Sequence, residues 1–296
     1  MAALYIGIIL VFRVVQAVFN KRSSIEIKNV PMLIAYNSYK NAISAFLGLF
    51  LILIAHNGFK VNALTVLISI LSGISLFLSG FFSIYAMKSG TVSLTSMFGT
   101  AGMLIPIIAG AVFWGQKISY LQIVGLIIFF ISAYLLIGVS KSTYKNFSYK
   151  TVLLLIGSLV FNGCTMLSQQ LFTRYVPKGD VSVFSFLSFG IIAILSAIVY
   201  SALGIKGKGK NESIKLSKIA LLCGVALAIS VFIINQLATL STALVSPIVL
   251  FAFINGGGTI ISTVVAAIIY KEKITKRAIV GVALGVIALI MIKAFG

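Results

Sequence analysis

The chain has 296 residues, of which 60% are hydrophobic and only 9% are charged. A soluble domain carries about 25% charged residues, so this composition excludes a soluble globular protein and predicts a membrane protein. A net charge of +19 would suggest nucleic-acid binding in a soluble protein, but most of the bases here stand between apolar segments. In that position they act as topology signals and contacts to anionic lipid, and no nucleic-acid partner is expected.

Ten apolar segments are long enough to cross a bilayer, which takes about 20 residues of helix. The first five predicted helices cover residues 2–19, 31–55, 63–87, 92–114 and 119–138. The second five cover residues 150–173, 182–204, 217–240, 244–269 and 277–295. We therefore predict an all-α integral membrane protein with a first five-helix repeat over 1–140, a linker over 141–149 and a second five-helix repeat over 150–296.

The basic residues are distributed unevenly between the loops. Loops that follow the odd-numbered helices hold sixteen Lys and Arg residues, whereas the other side of the membrane holds five. We call the membrane side with the odd-numbered loops the basic face and the other side the opposite face. The positive-inside rule places the basic face in the cytoplasm and both termini outside the cell.

The fourth and fifth helices resemble the ninth and tenth in sequence. Residues 99–138 align without a gap on residues 255–294, and Lys117 falls on Lys273 and Gly125 on Gly281. Because each half contains an odd number of predicted helices, the second half enters the membrane upside down. Inverted repeats of this kind are typical of secondary transporters, although channels also contain them.

A short charged turn precedes the last helix of each repeat. Residues 271–275 read KEKIT and are followed by Gly281, and residues 115–119 read GQKIS and are followed by Gly125. With the ten helices and the repeat, these turns make the chain resemble the drug/metabolite transporter superfamily, EamA-type branch, with Gln116 in place of the usual acid. The resemblance implies a ten-helix inverted-repeat carrier with a central cavity but names no substrate. Many members are drawn with both termini in the cytoplasm, opposite to the charge count, so the orientation stays open.

Charged residues are unevenly placed with respect to the membrane. The four acids, Glu26, Asp180, Glu212 and Glu272, all lie in or beside loops, which argues against a proton-coupled exporter of cations. Arg13 and Lys40, by contrast, stand near the middle of the first and second helices, Arg13 at a depth of about 17 Å. Cations at bilayer depth indicate a functional site, and we predict that these two bind an anionic group of the substrate. The alternative is that one of them reaches an interface or bonds a helix carbonyl.

Other polar residues in the predicted helices complete the candidate substrate site. They are Gln16, Tyr36, Asn37, Asn162, Asn235 and Asn255, with Gln169 and Gln236 as further polar positions in the second half. Polar side chains in membrane helices also hold helices together, and the sequence does not separate the two roles. Helix breaks or hinges are expected at Gly102, Pro106, Gly256, Gly257 and Gly258, because Gly and Pro interrupt helices at matching positions of transporter repeats; close helix packing is the alternative reading.

These observations predict a secondary transporter in the cytoplasmic membrane, working by alternating access. The expected substrate is a small metabolite with an anionic group, such as an amino acid or another carboxylate. The alternatives are a channel or an exchanger of phosphorylated metabolites or nucleotide sugars. No cofactor, metal or enzymatic activity is expected, since no His, Asp and Glu cluster is visible, and the chain is expected to act as a monomer with the lipid bilayer and its substrate as partners.

Overall fold

The computed structural model describes residues 1–55, 59, 61–88, 92–137, 148–206, 216–269 and 275–294. These residues form helices, with no strand among them. In chain order the helices are α1 (Ala2–Glu26), α2 (Val30–Ile54), α3 (Ala63–Lys88), α4 (Val92–Ala101), α5 (Leu104–Trp114), α6 (Tyr120–Ile137), α7 (Tyr149–Tyr175), α8 (Val181–Lys206), α9 (Lys218–Thr242), α10 (Pro247–Ala252), α11 (Gly258–Ile269) and α12 (Lys276–Ala294), with a π-helical turn (Phe253–Gly257) between α10 and α11.

Nine helical stretches within the described residues are long and apolar enough to cross a membrane. Two of them combine short helices: α4 with α5, and α10 with the π-helical turn and α11. The apolar helix α6 is shorter, with the stretch Tyr120–Leu136. The prediction of an all-α, multi-pass membrane protein is therefore confirmed.

Local sequence explains where several helices begin and end. Asn29 precedes α2, and its side chain accepts a hydrogen bond from the Met32 amide at 2.9 Å. Ser148 and Ser217 cap α7 and α9 in the same way. Gly115 ends α5 with a φ of 62°, a left-handed conformation that glycine adopts without a steric penalty. The glycine of the GQKIS turn thus ends α5 and lets the chain turn toward α6.

The fourth predicted helix is interrupted, as its glycine and proline suggest. Pro106 has no N–H to donate to the carbonyl of Gly102, four residues earlier, and its ring would crowd that carbonyl in a regular helix. The Gly102 carbonyl instead accepts a hydrogen bond from the Ile105 amide at 3.0 Å, and α4 ends at Ala101. The two short helices α4 and α5 replace the single helix predicted over 92–114.

The ninth predicted helix is also irregular, but in a different form. The segment over Phe253–Gly257 winds as a π-helical turn between α10 and α11, so hydrogen bonding is altered without a full break. In addition, α1 continues to Glu26 rather than ending at residue 19. The apolar run ends at residue 19, but the mostly polar residues that follow remain helical. The turn at 271–274, the linker at 141–147 and Gly138 lie outside the described residues.

The helices pack in pairs that join the two halves of the chain. α1 packs against α9, α3 against α7, α2 against α8, and α6 against α12. α1 also contacts the π-helical turn and α11, while α7 contacts α4 and α5. The chain approaches α7 closely at Gly102, where an added Cβ would lie 2.9 Å from the Gly163 nitrogen. This packing leaves a cavity between α1, α2, α3, α7, α8 and α9.

Candidate functional site

A cavity of about 310 Å³ lies at the centre of the helix bundle. That volume is at the lower end of the range typical of small-molecule sites. Its lining combines aliphatic and aromatic residues with many polar side chains. The polar ones are Arg13, Gln16, Asn37, Lys40, Asn41, Ser79, Tyr85, Asn162, Thr165, Gln169, Ser196 and Asn235.

Arg13 and Lys40 are the charged residues in this lining, and none of the described lining residues is an acid. Both bases stand near the middle of their helices, Arg13 in α1 and Lys40 in α2. Of the acids, Glu26 and Asp180 lie at or beside helix ends, where Glu26 accepts a hydrogen bond from Ser217 at 2.6 Å and Asp180 accepts one from the Ser182 amide at 2.7 Å. The other two acids, Glu212 and Glu272, fall outside the described residues, and neither of the two described acids lines the cavity with the cations.

Lys40 is held by its own helix. Its Nζ donates a hydrogen bond to the Asn37 Oδ1 at 3.1 Å, one turn earlier in α2. An ammonium carries three N–H donors, so this bond leaves two of them directed elsewhere. Asn41, on the next turn, donates to the Asn37 carbonyl at 2.8 Å and also borders the cavity. Asn37, Lys40 and Asn41 of α2 therefore all border the same cavity.

Arg13 connects α1 to the irregular part of the ninth span. Its Nη1 donates to the Gln16 Oε1 at 3.1 Å, and its Nη2 donates to the Asn255 Oδ1 at 3.5 Å. Its buried Nε has no hydrogen-bond partner among the described residues. The aliphatic part of the side chain runs beside Gly258, where an added Cβ would lie 3.3 Å from the Arg13 Cγ. A larger residue at 258 would therefore crowd the arginine.

The second half of the chain contributes amides from α7 and α9. Gln169 Nε2 donates to the Asn235 Oδ1 at 2.9 Å, which joins these two helices at the cavity wall. Asn162 donates to the Gly99 carbonyl at 2.6 Å and so fixes α7 against α4 just before the break in the fourth span. Asn162 and Asn235 both line the cavity.

Tyr36 is placed differently from the expectation. Residues four apart share a helix face, so Tyr36 is expected beside Lys40. It does not line the cavity, however, and its side chain is buried against α9. An added Cβ at Gly224 would lie 3.2 Å from the Tyr36 Cε2 and 2.9 Å from the Tyr39 Cε1, so the glycine makes room for both rings. Tyr36 is thus a packing residue between α2 and α9 in this arrangement.

The expected hinge residues lie behind the cavity wall. Gly102, Pro106 and Gly256 to Gly258 are not in the lining, and neither is Asn255, which reaches the cavity only through Arg13. The sequence did not single out Tyr85, Thr165 or Ser196, which do line it. Hydroxyl residues are scattered through these helices, and only the packing separates those at the cavity from the rest.

The cavity extends toward the basic face. Its lining includes Val30 at the start of α2, Tyr85 near the end of α3 and Val199 near the end of α8, all on that side. Toward the opposite face the described helices close together. Phe172 stacks on Phe184 with ring centroids 4.6 Å apart.

Hydrogen bonds reinforce the closed layer at the opposite face. The hydroxyls of Thr173 and Thr242 are 2.8 Å apart and join the ends of α7 and α9. Gln236 accepts a bond from Ser185 at 2.7 Å and donates one to Ser182 at 3.0 Å, which joins α9 to α8. In this conformation the cavity therefore extends toward the basic face, while these helix ends pack together at the opposite face.

No metal site is found among the described residues, where no group of three or more His, Cys, Asp or Glu side chains could hold an ion. The two cysteines, Cys164 and Cys223, are free thiols. The chemistry that the described residues offer is recognition through hydrogen bonds and positive charge.

Comparison with known proteins supports the fold. No family model matches the chain, and no curated protein matches it. A solved structure described only as "Crystal structure of protein" superposes with a TM-score of 0.80 at 15% sequence identity, covering 99% of this chain and 97% of the other. The fold and the cavity define a multi-pass, all-α membrane protein with a polar, positively charged interior site. The likeness to the solved structure, at such low identity, establishes the shared fold and carries no information about a substrate.

Proposed function

We propose that the chain is a secondary transporter of the cytoplasmic membrane that moves a small metabolite with an anionic group by alternating access. The observation that carries the proposal is the central cavity, which contains two cations and no acid among its described lining residues. Unpaired charge at bilayer depth is costly and is retained where it serves a substrate or ion pathway. An anionic substrate would compensate the charge of Arg13 and Lys40.

The pattern of helix packing supports an inverted repeat of two five-helix halves. If the spans are numbered one to ten, exchanging the halves turns the contact of spans one and eight (α1 and α9) into that of spans six and three (α7 and α3). Both contacts occur, as do the self-related pairs of spans two with seven and five with ten. The irregular points of spans four and nine also correspond, because Gly102 aligns with Gly258. Such symmetry is typical of secondary transporters, and it favours membership of the EamA-type drug/metabolite transporters.

The same symmetry suggests how the site would change sides. At the opposite face, α7 and α9 are joined by the contacts of Gln169 with Asn235 and of Thr173 with Thr242. Exchanging the halves relates α7 to α1 and α9 to α3. At the basic face, α1 and α3 instead line the cavity, with Gln16 and Tyr85 on its walls. In the alternate state, α1 and α3 would therefore close against each other at the basic face. At the opposite face, α7 and α9 would separate.

Ligand-dependent thermal stability tests the binding step. Purified protein is heated with a panel of anionic, zwitterionic, neutral and cationic metabolites, because a ligand that binds the folded state raises its apparent stability. We expect stabilisation by anionic compounds, clearly reduced in Lys40→Gln and kept in Lys178→Gln, which removes an exposed base at the opposite face. Stabilisation by neutral or cationic compounds that survives Lys40→Gln would contradict the proposal.

Counterflow tests the transport step. Proteoliposomes loaded with an unlabelled compound from the panel should accumulate the labelled compound transiently above equilibrium, since a carrier exchanges substrate across the bilayer. A channel gives equilibration without overshoot, and that result would replace the carrier proposal by a channel.

A further inference from the structure

The charge of the central cavity defines the charge of its ligand. Arg13 and Lys40 give the described lining two positive charges with no compensating acid. A zwitterion, such as an amino acid with a neutral side chain, carries no net charge and would leave both positive charges uncompensated at bilayer depth. A ligand with two negative charges would neutralise the site, and uncompensated buried charge is the costly arrangement.

The hydrogen bonds at the cavity also favour an anionic ligand over a zwitterion. The amide oxygens of Gln16 and Asn37 already accept from Arg13 and Lys40 at 3.1 Å each. The Asn235 oxygen likewise accepts from Gln169. A substrate ammonium would have to compete for these occupied acceptors while standing beside two cations.

Charged donors of both cations remain unused at the cavity. The Arg13 Nε is buried without a partner among the described residues. The Asn255 contact of its Nη2 is long, at 3.5 Å. Lys40 uses one of its three donors on Asn37. A site with unused charged donors is complementary to several oxygens of an anion, and an arginine fork binds two such oxygens at once.

We infer that the cavity selects small dianions, meaning molecules with two carboxylates or one phosphate monoester, over zwitterionic amino acids and monoanions. This inference rests on the proposed transport function and narrows its substrate class. Arg13, on α1, takes two oxygens of one acidic group, and Lys40, on α2, takes the remaining negative charge. A cavity of about 310 Å³ limits the ligand to a small metabolite.

Compounds matched in size and shape but not in charge test the inference. Succinate, succinamate and succinamide carry two, one and no negative charges near neutral pH, and γ-aminobutyrate adds a zwitterion of the same chain length. Dissociation constants are measured by calorimetry on purified protein. We expect succinate to bind about tenfold or more tightly than succinamate, with no measurable binding of succinamide or γ-aminobutyrate, because each charged hydrogen-bond pair lost costs that much. Glycerol phosphate, measured alongside, distinguishes a phosphate ligand from a dicarboxylate.

Charge-removing variants make the test specific to the two cations. In Arg13→Gln and Lys40→Gln the cavity keeps one positive charge, so the preference for a dianion over a monoanion should fall to about threefold or less. Lys178→Gln, which removes a base outside the cavity, should keep the wild-type preference. Because either cavity variant could fold poorly, each is first compared with wild type by size-exclusion chromatography and thermal unfolding.

The possible results distinguish failure of the dianion inference from failure of the transporter proposal. Tighter binding of γ-aminobutyrate or succinamate than of succinate and glycerol phosphate would overturn the dianion inference and leave the transporter proposal standing. A dianion preference that persists in both Arg13→Gln and Lys40→Gln would also overturn it. Binding of none of these compounds, together with the absence of counterflow for the wider metabolite panel, would overturn both.

Discussion

Arg13 contacts three other parts of the candidate site. It donates to Gln16 within α1 and to Asn255 in the π-helical turn, and its stem fits beside Gly258. Lysine keeps the charge but replaces the planar fork by a single ammonium on a flexible chain. An Arg13→Lys substitution therefore separates the effect of the positive charge on ligand binding from the effect of the guanidinium geometry.

We expect Arg13→Lys to weaken dianion binding by about tenfold, since one of two charged hydrogen bonds is lost. The preference for succinate over succinamate should stay, because the charge of the cavity is unchanged. Calorimetry with both compounds measures the two quantities on the same preparation. Wild-type affinity in Arg13→Lys would show that the fork does not hold the ligand, and a lost preference would show that charge alone does not explain it.

Gly102 is a position where the backbone leaves no space for a side chain. An added Cβ would lie 2.9 Å from the Gly163 nitrogen and from the Leu159 carbonyl oxygen, so both clashes involve backbone of α7. We expect Gly102→Ala to destabilise the protein by about 1–3 kcal/mol, the usual cost of overpacking. Thermal unfolding in detergent should give a clearly lower midpoint.

Gly99 supplies the matched control for that substitution. It lies one turn earlier in the same span, and an added Cβ there meets nothing within 4 Å. Gly99→Ala should leave the midpoint unchanged or raise it, because alanine is the better helix former. Equal midpoints for the two variants would show that α4 and α7 are not in close contact at Gly102.

The sequence predicts where helices begin and end better than it predicts irregular winding within them. Runs of apolar residues end where polar residues begin, which places most helix ends within about two residues of those observed. The same criterion ends the first helix at residue 19, although the polar residues that follow continue it to Glu26. Pro106 makes the break in the fourth span predictable, because a missing N–H acts locally. No local rule specifies that the NGGG stretch winds as a π-helical turn, since that depends on what packs around it.

The candidate site was predictable in its charges and less so in its boundary. An unpaired base inside an apolar helix is visible in sequence alone, which identified Arg13 and Lys40. Helical periodicity places Tyr36 on the same face of α2 as Lys40. The tyrosine ring instead packs beside Gly224 of α9, which is distant in sequence, and does not line the cavity. Which of many serines and threonines face the cavity depends likewise on packing between distant segments.

The closed layer at the opposite face gives a prediction about α7 and α9. Removing the hydrogen bond between Thr173 and Thr242 with Thr173→Val should favour the state in which these ends separate. A side-chain hydrogen bond between membrane helices contributes about 0.6 kcal/mol, which corresponds to about a threefold change in the ratio of the two states. Spin labels at positions 64 and 244, near the opposite-face ends of α3 and α9, would report a larger population of long distances.

Thr263→Val is the control for this experiment. The Thr263 hydroxyl donates to the Thr259 carbonyl within its own helix at 2.9 Å, so its loss should not alter the ratio of states. An unchanged distance distribution in Thr173→Val would mean that the threonine contact does not hold the opposite face closed.

The orientation of the molecule in the membrane determines which compartment the cavity faces. The charge count places the basic face in the cytoplasm, and the cavity extends toward that face. The proposed membership of the EamA-type transporters would imply the reverse orientation, in which the same cavity extends toward the outside of the cell. Orientation therefore decides whether this conformation faces inward or outward.

Cysteine labelling from each side of the membrane decides between the two orientations. Lys150 and Lys178 are exposed residues at the start and just beyond the end of α7, so they lie on opposite faces. Each is replaced by cysteine in a background in which Cys164 and Cys223 are alanine. A membrane-impermeant maleimide should label Lys178→Cys in intact cells and Lys150→Cys only in inverted vesicles, because the short basic loops remain in the cytoplasm. The reverse labelling would show that the charge count fails here and that the cavity opens outward, whereas labelling of both positions from one side would mean that α7 does not cross the membrane.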